Sequence, residues 1–582
     1  MILGKKKQNK LPQNMYHGNI KMSSRKDIAK EFNTFFIDIG KQLSKSIQTP
    51  NYSYDKYLVN PNLNSFYVKS TSIHEIIKLS SLLKIDKSSG PDCISPKIVK
   101  NCIHFFVNPL CDIFNKSLNS GIVPDKLKVA KIVPLYKKND VKNVENYRPI
   151  ALLSVFAKLL EKVMHKRLYD YLLKYNVLIS EQFGFRKNHS TDLSIVNFTK
   201  NILHEINNGM FCYGLFMDLS KAFDTIDHHI LLKKLYHYGI RGIPHQWFSD
   251  YLFNRKQYVV VDGVESDYMD VNTGVPQGSV LGPLLFIIYI NDIISSSKLL
   301  MFSLFADDTV VYYSHSNVAC LVSNLNEELI KLNDRFKCNK LFLNYEKTKY
   351  VIFHTKKKKV PNVTNPVKIA NVNIERELSV IFLGTNIEET LDWKCHIDYV
   401  CSKISRSIGV LSRLKNFLPR NILMNIYNAT LLPHLNYCNI IWGNTYKTKL
   451  FKIYMLQKRA ARLITNSHYM SPSLPLFIKL KIIPVYDLIK LNTCIFMFKF
   501  HKNLLPSVFN NMFQTNSSIH NYPTRQRLNL HHPLCRSTSM YNSISFVGVR
   551  EWNSLNYDLR SSSTITRFKS MYKKSIFQSM VE

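Results

Sequence analysis

The stretch LLMFSLFADDTVVYY, residues 299–313, is a mostly apolar run split in its centre by Asp307-Asp308. A run this long with two acids in the middle reads as two strands joined by a tight turn, with the acids at its tip. As a dipeptide, Asp-Asp is ordinary turn chemistry. Two adjacent carboxylates also repel, a costly arrangement unless they are solvated or bound to a cation.

Upstream, Tyr213–Leu219 is a second apolar run that meets an acid, Asp218. Further back, KVAKIVPLY (128–136) and Tyr147–Leu153 read as strands joined by a charged turn, Lys137 to Asn146, which makes a hairpin with a basic tip. Helical spacing predicts helices over 28–47 (Ile28, Phe32, Phe35, Ile39, Leu43), 72–83, 155–175 (Phe156, Leu160, Val163, Leu168, Leu172) and 319–340. Residues 48–70 have a linker composition, and 84–92 form a turn-rich loop. The four-lysine run Lys356–Lys359 reads as a solvated loop. Beyond about residue 395 the pattern is mostly helical to Arg462, then mixed and Ser-rich to residue 582.

Composition narrows the function. The chain has 582 residues, 45% hydrophobic, with a formal net charge of +37. At roughly 150 residues per domain, that length suggests about three or four domains. So large a positive excess points to a polyanionic partner, nucleic acid first. The 11 cysteines include no Cys-x-x-Cys pair, which argues against a disulfide framework or a structural zinc and suits a reducing compartment. The longest apolar run, near Leu284–Ile290, falls far short of the ~20 residues of a membrane span. The basic N-terminus has no apolar stretch behind it, so no signal peptide is expected. Together these predict an intracellular protein of the nucleus, the cytoplasm or both.

Three stretches, in this order, resemble the motifs of one family: FMDLSKAFDT around Asp218, GVPQGSVLGP around Gln277, and FADD ending at Asp308. Each alone is moderately specific, and together they are very specific. LKIDKSSGPD (83–92), NYRPI (146–150), EQFGFR (181–186), LNYEKT (343–348), FLG (382–384) and HLNY (434–437) resemble further blocks of the same family. The chain is identified as similar to the reverse transcriptases of non-LTR retrotransposons, of the Jockey and chicken-repeat type. The likeness runs from Glu31-Phe-Asn33 to Trp552-Asn553 and Phe568-Lys569.

The resemblance implies an α/β right-hand polymerase with fingers, an antiparallel palm sheet and a helical thumb. It implies an RNA-directed DNA polymerase that adds dNTPs to a primer 3′-hydroxyl on an RNA template, with DNA as primer and target and with no membrane partner. Two Mg2+ ions, or Mn2+, would be held by Asp218, Asp307 and Asp308 with the main-chain carbonyl of Leu219. Phe223, five positions after Asp218, would be an aromatic gate against a 2′-hydroxyl. Lys137, Arg148, Gln277 and Lys347 would contact the nucleotide, and Phe382, Leu383 and Gly384 would form the primer grip. The implied organisation is an N-terminal extension (1–70), fingers and palm (71–360), primer grip and thumb (361–470) and a basic, Ser-rich C-terminal region (471–582).

Full elements of this type carry an endonuclease upstream, and this chain begins too close to the finger motifs to hold one. That leaves open a catalytically idle nucleic-acid-binding remnant. An RNA-dependent RNA polymerase is also open, although a small or acidic residue would be expected there in place of Phe223.

Overall fold

A computed structural model describes residues 11–45, 53–361, 365–519 and 526–581. The described chain is a mixture of helices and several sheets, an α/β protein. It divides into two compact units interleaved in sequence. One comprises 1–185, 218–298 and 328–344; the other comprises 186–217, 299–327 and 345–582.

In the first unit the expected hairpin forms. Val129–Tyr136 pairs antiparallel with Tyr147–Leu152, Tyr136 opposite Tyr147, and Val129–Tyr136 also pairs in parallel with Arg255–Val261. The helix Arg25–Lys45 covers this sheet. Its Ile28, Phe32, Phe35 and Phe36 share one core with Ala130, Ile132, Tyr147, Ala151, Val259 and Val261. The apolar spacing that predicts the helix is therefore its packed face. The helix Ile73–Ser81 starts where Ser72 accepts a hydrogen bond from the Glu75 N–H, a serine N-cap. The apolar run at 284–290 lies in a helix, Gly282–Ile290, buried on nearly every side. Apolar residues all round mark a helix enclosed in a large core. Among the described residues no helix is long and apolar enough to cross a membrane.

The second unit is built on a five-stranded sheet in the order Glu375–Arg376, Lys349–Phe353, Phe211–Met217, Asp308–His315, Met301–Phe305. All seven residues of the central strand Phe211–Met217 are buried. Phe198, from the helix Thr191–Asn207, packs edge-on against Phe216, Tyr312, Phe353 and Phe382, which closes one face.

Two features differ from the sequence reading. The central strand ends at Met217, so Asp218 follows it instead of lying inside it. The run from 471 onward is largely helical: Val485–His501 packs against Ile544–Asn553 and Ile565–Ser579. Some of its serines cap helices, as Ser537 does by accepting from the Met540 N–H, and others, such as Ser545 and Ser570, lie within them, so the serines there do not mark loop. The lysine run is a loop with Lys356, Lys357 and Lys359 exposed, as expected, while Lys358 lies over the Phe211 ring, 3.7 Å from its centroid, and Lys356 pairs with Asp392 at 2.7 Å.

Candidate active site

The acidic turn is tighter than the sequence suggests. Asp308 is already in strand register, opposite Phe305, so the turn itself is only Ala306-Asp307. Ala306 takes a left-handed backbone, φ 58°, at the first central position of a two-residue hairpin. Glycine is the usual occupant there, and an L-residue pays about 1–2 kcal/mol. The strain aims two consecutive carboxylates off a rigid strand end, with Asp307 half-buried and Asp308 exposed.

Next to this hairpin in the sheet, Met217 is the register partner of Thr309. Along the chain Asp218 follows Met217, and Asp308 precedes Thr309. Downstream of Met217, Leu219 faces Leu343 across an isolated bridge. Its two bonds run from Asn344 N–H to the Asp218 carbonyl (2.9 Å) and from Ser220 N–H to the Phe342 carbonyl (2.9 Å). That pattern uses neither the N–H nor the carbonyl of Leu219. The ligands that the resemblance implies, three carboxylates and a carbonyl, are all hard oxygen, which suits magnesium. Among the described residues no three or more His, Cys, Asp or Glu side chains form a ready-made cage. An ion that keeps several waters and substrate oxygens as ligands does not need one.

Within the first unit, the sequence-selected Phe223 and Gln277 belong to one assembly. Phe223 is half-buried. It stacks on Phe286 of the enclosed helix, centroids 4.7 Å apart, and meets Phe185 edge-on at 6.1 Å. The ring is thus clamped between two aromatics without being sealed into the core. The GVPQG loop is tied to the same turn: Gly274 N–H donates to the Ile226 carbonyl and Val275 N–H to the Phe223 carbonyl, 2.8 and 2.9 Å. On its other side the Gln277 carbonyl accepts from Ala151 N–H at 2.8 Å. A Cβ on Gly278 would lie 2.5 Å from the Ala151 carbonyl, and φ there is +126°, so only glycine fits.

Two residues in this assembly escaped the sequence reading. Asp224 accepts from Gln277 Nε2 at both carboxylate oxygens, 2.8 and 2.9 Å. The residue is half-buried overall, but burial of its carboxyl pushes the pKa up to about 6, against the pull of Gln277, Lys221 and Arg148. Glu161, on the helix Val155–Lys174, is fully enclosed. One oxygen accepts from the Tyr251 hydroxyl (2.7 Å) and the other from Val280 N–H (2.6 Å), with Arg255 nearby. Burial raises its pKa. Glu161 thereby holds the far end of the loop that carries Gln277. A signal existed: Glu161 falls in the apolar stripe Ala157, Met164, Leu168 of its helix, where an acid needs partners.

The remaining sequence-selected residues are dispersed. Arg148 and Lys137 are exposed on the hairpin of the first unit; Arg148 sits opposite Leu135 and is close enough to Asp224 to lower its pKa. Lys347, also exposed, belongs to the second unit, in the bend before Lys349–Phe353. Ser379–Phe382 and Thr385–Glu388 form a hairpin whose two-residue turn is Leu383-Gly384, φ 46° and 78°. Phe382 is buried in the aromatic cluster with Phe198 and Phe216, so it anchors the hairpin, while Leu383 and Gly384 form its tip. The Tyr437 hydroxyl donates to the Leu383 carbonyl and braces that tip.

The family described as reverse transcriptase (RNA-dependent DNA polymerase) matches residues 136–387. A probable RNA-directed DNA polymerase from transposon BS of Drosophila melanogaster is 29% identical, over 71% of this chain and 46% of the relative. The RNA-directed DNA polymerase from mobile element jockey of the same organism is 26% identical, over 82% of this chain and 53% of the relative. The polymerase of the Drosophila melanogaster X-element is 26% identical, over 73% and 47%. The chain spans about half the length of these relatives. Residues 136–387 are thus similar to the reverse transcriptase family, and the relatives that share this region are polymerases of transposons and mobile elements.

Proposed function

We propose that the chain is an RNA-directed DNA polymerase that extends a DNA primer with dNTPs on an RNA template. One observation carries the reading: Asp308 opens a strand whose next residue, Thr309, pairs with Met217, and Met217 is followed by Asp218. Antiparallel register sends both chain positions to one end of one strand pair. In right-hand terms this sheet is the palm, the hairpin 129–152 belongs to the fingers, and the helices after Lys394 begin the thumb. The sequence division at 70, 360 and 470 follows that scheme, with a basic region after 470 that binds nucleic acid.

Asp218, Asp307, Asp308 and the Leu219 carbonyl are the residues to hold two Mg2+ ions, or Mn2+. Bound there, such ions supply Lewis acidity to the primer hydroxyl and charge neutralisation to the leaving oxygens. The protein's own contribution is placement. Phe223 lies under the sugar of the incoming nucleotide and excludes a 2′-hydroxyl. Arg148 and Lys137 meet the triphosphate, Arg as a fork and Lys as a point charge. Gln277 lies beside the sugar. Lys347 gives a proton to pyrophosphate as it leaves. The Leu383-Gly384 tip, braced by Tyr437, holds the primer end. The work site is the nucleus, the cytoplasm or both.

Primer extension on an RNA template with dNTPs tests the reading. Asp307→Ala and Asp308→Ala each abolish product while leaving salt-sensitive RNA binding in place. Folded wild-type protein that binds RNA without extending a primer would mark it as an idle nucleic-acid-binding remnant. Preferential rNTP incorporation would mark an RNA polymerase.

A further inference from the structure

Gln277 is held at both its main chain and its side chain. Its carbonyl accepts from Ala151 N–H, and Nε2 lies 2.8 and 2.9 Å from the carboxylate oxygens of Asp224. A carboxylate accepts hydrogen bonds and donates none, so the amide has one stable orientation whatever atom assignment is drawn: nitrogen toward Asp224, oxygen away. Among the described residues no protein group is recorded donating to Oε1 of Gln277. The two residues stand 53 apart in sequence, yet the Phe223 turn and the GVPQG loop are tied backbone to backbone, so their mutual placement is set by the fold.

We infer that Asp224 is a positioning residue that fixes the polarity of Gln277, so that Gln277 offers an acceptor oxygen and thereby selects nucleotides whose sugar carries a 3′-hydroxyl donor. The inference rests on the polymerase reading, which puts Gln277 beside the incoming sugar. The only hydrogen-bond donor on the sugar of a deoxynucleotide is its 3′-hydroxyl, so an outward oxygen rewards it and an outward –NH2 does not. The consequence suits a polymerase: a sugar without that hydroxyl, once added, ends the chain.

Charge supports the arrangement. Asp224 faces Lys221 and Arg148, and Arg255 and Lys256 line the same cavity. Burial nevertheless lifts its carboxyl to about 6, so the lock is set at neutral pH and loosens in mild acid. A protonated Asp224 donates as well as accepts, and Gln277 then has two orientations of comparable energy.

The test is single-nucleotide primer extension with a dNTP and with the matching 2′,3′-dideoxynucleotide, taking the ratio of kcat/KM values. Asp224→Asn and Gln277→Ala each lower that ratio about 5- to 10-fold, the worth of one net hydrogen bond. The double variant loses no more than Gln277→Ala alone, because both changes remove one interaction. The wild-type ratio falls between about pH 7.5 and about pH 5.5, and the Gln277→Ala ratio stays flat. An unchanged ratio in Asp224→Asn, or losses that add in the double variant, overturns the inference. If Asp224→Asn does not fold, a pH dependence that survives in Gln277→Ala overturns it instead. Wild-type protein that extends no primer refutes the polymerase reading and the inference together, whereas extension with an unaltered ratio refutes the inference alone.

Discussion

Glu161 is 2% exposed and accepts from a backbone N–H and a tyrosine hydroxyl, with the Arg255 charge nearby, so Glu161→Ala removes two hydrogen bonds and one neighbouring countercharge. Val280 N–H loses its acceptor inside the core, at about 1–3 kcal/mol. The Tyr251 hydroxyl is left with only what it reaches by rotation. Arg255, itself 3% exposed, loses a nearby countercharge with which it forms no direct ion pair, a smaller loss. These losses share one cavity and do not sum, so about 2–3 kcal/mol is expected in all. Glu161→Gln keeps the shape and one acceptor for Val280, and its –NH2 can donate to the Tyr251 oxygen. It loses only the charge facing Arg255, about 1–2 kcal/mol. Urea unfolding followed by tryptophan fluorescence measures this at the right place, because Trp247 stacks on Tyr251 with ring centroids 5.5 Å apart. The same variants should raise the KM for dNTP, since the loop that Glu161 holds carries Gln277. If Glu161→Ala unfolds at the wild-type urea midpoint, the carboxylate does not hold this loop and the argument fails.

Further predictions rest on separate features. On the proposed placement of Phe223 beneath the sugar, Phe223→Val increases ribonucleotide incorporation relative to dNTPs by about 10-fold or more in competition assays, while dNTP use persists. Ala306→Gly relieves the left-handed turn and leaves stability equal or up to about 1 kcal/mol higher, whereas Ala306→Val lowers it by more than about 1 kcal/mol; urea midpoints decide. Asp292 is the carboxylate paired with both Lys234 and Arg335, all three fully buried, so Asp292→Ala costs about 3–5 kcal/mol by denaturant unfolding. Burial holds Lys234 down to about 7 against the pull of Asp292, so the unfolded chain binds more protons between that value and 10.5. Stability from this group therefore rises with pH across that window, and a Lys234→Met variant flattens the rise in pH-dependent unfolding.

Much of the fold is legible locally. The helix at 25–45 and the hairpin at 129–152 follow from spacing and turn chemistry alone, because each packs one periodic face onto one core. The acidic hairpin is legible too, but not its register. That Thr309 aligns with Met217, and so that Asp218 follows the paired residue, depends on a distant strand. Asp224 and Glu161 were hidden for the same reason. Their partners lie 53 and 119 residues away, and only the folded chain turns those separations into hydrogen bonds. The serines after residue 471 misled because a cap and a loop draw on the same residues.

The two units trade the chain five times, at 185/186, 217/218, 298/299, 327/328 and 344/345. Neither is therefore finished early in synthesis. The strand Val129–Tyr136 must wait for Arg255–Val261, and its unit closes only after Asn344 has emerged. Such late, long-range closure slows folding and exposes unpaired edges to misassociation. A message interrupted before codon 344 would yield neither unit, so in this architecture a partial product is not half a protein but a chaperone client.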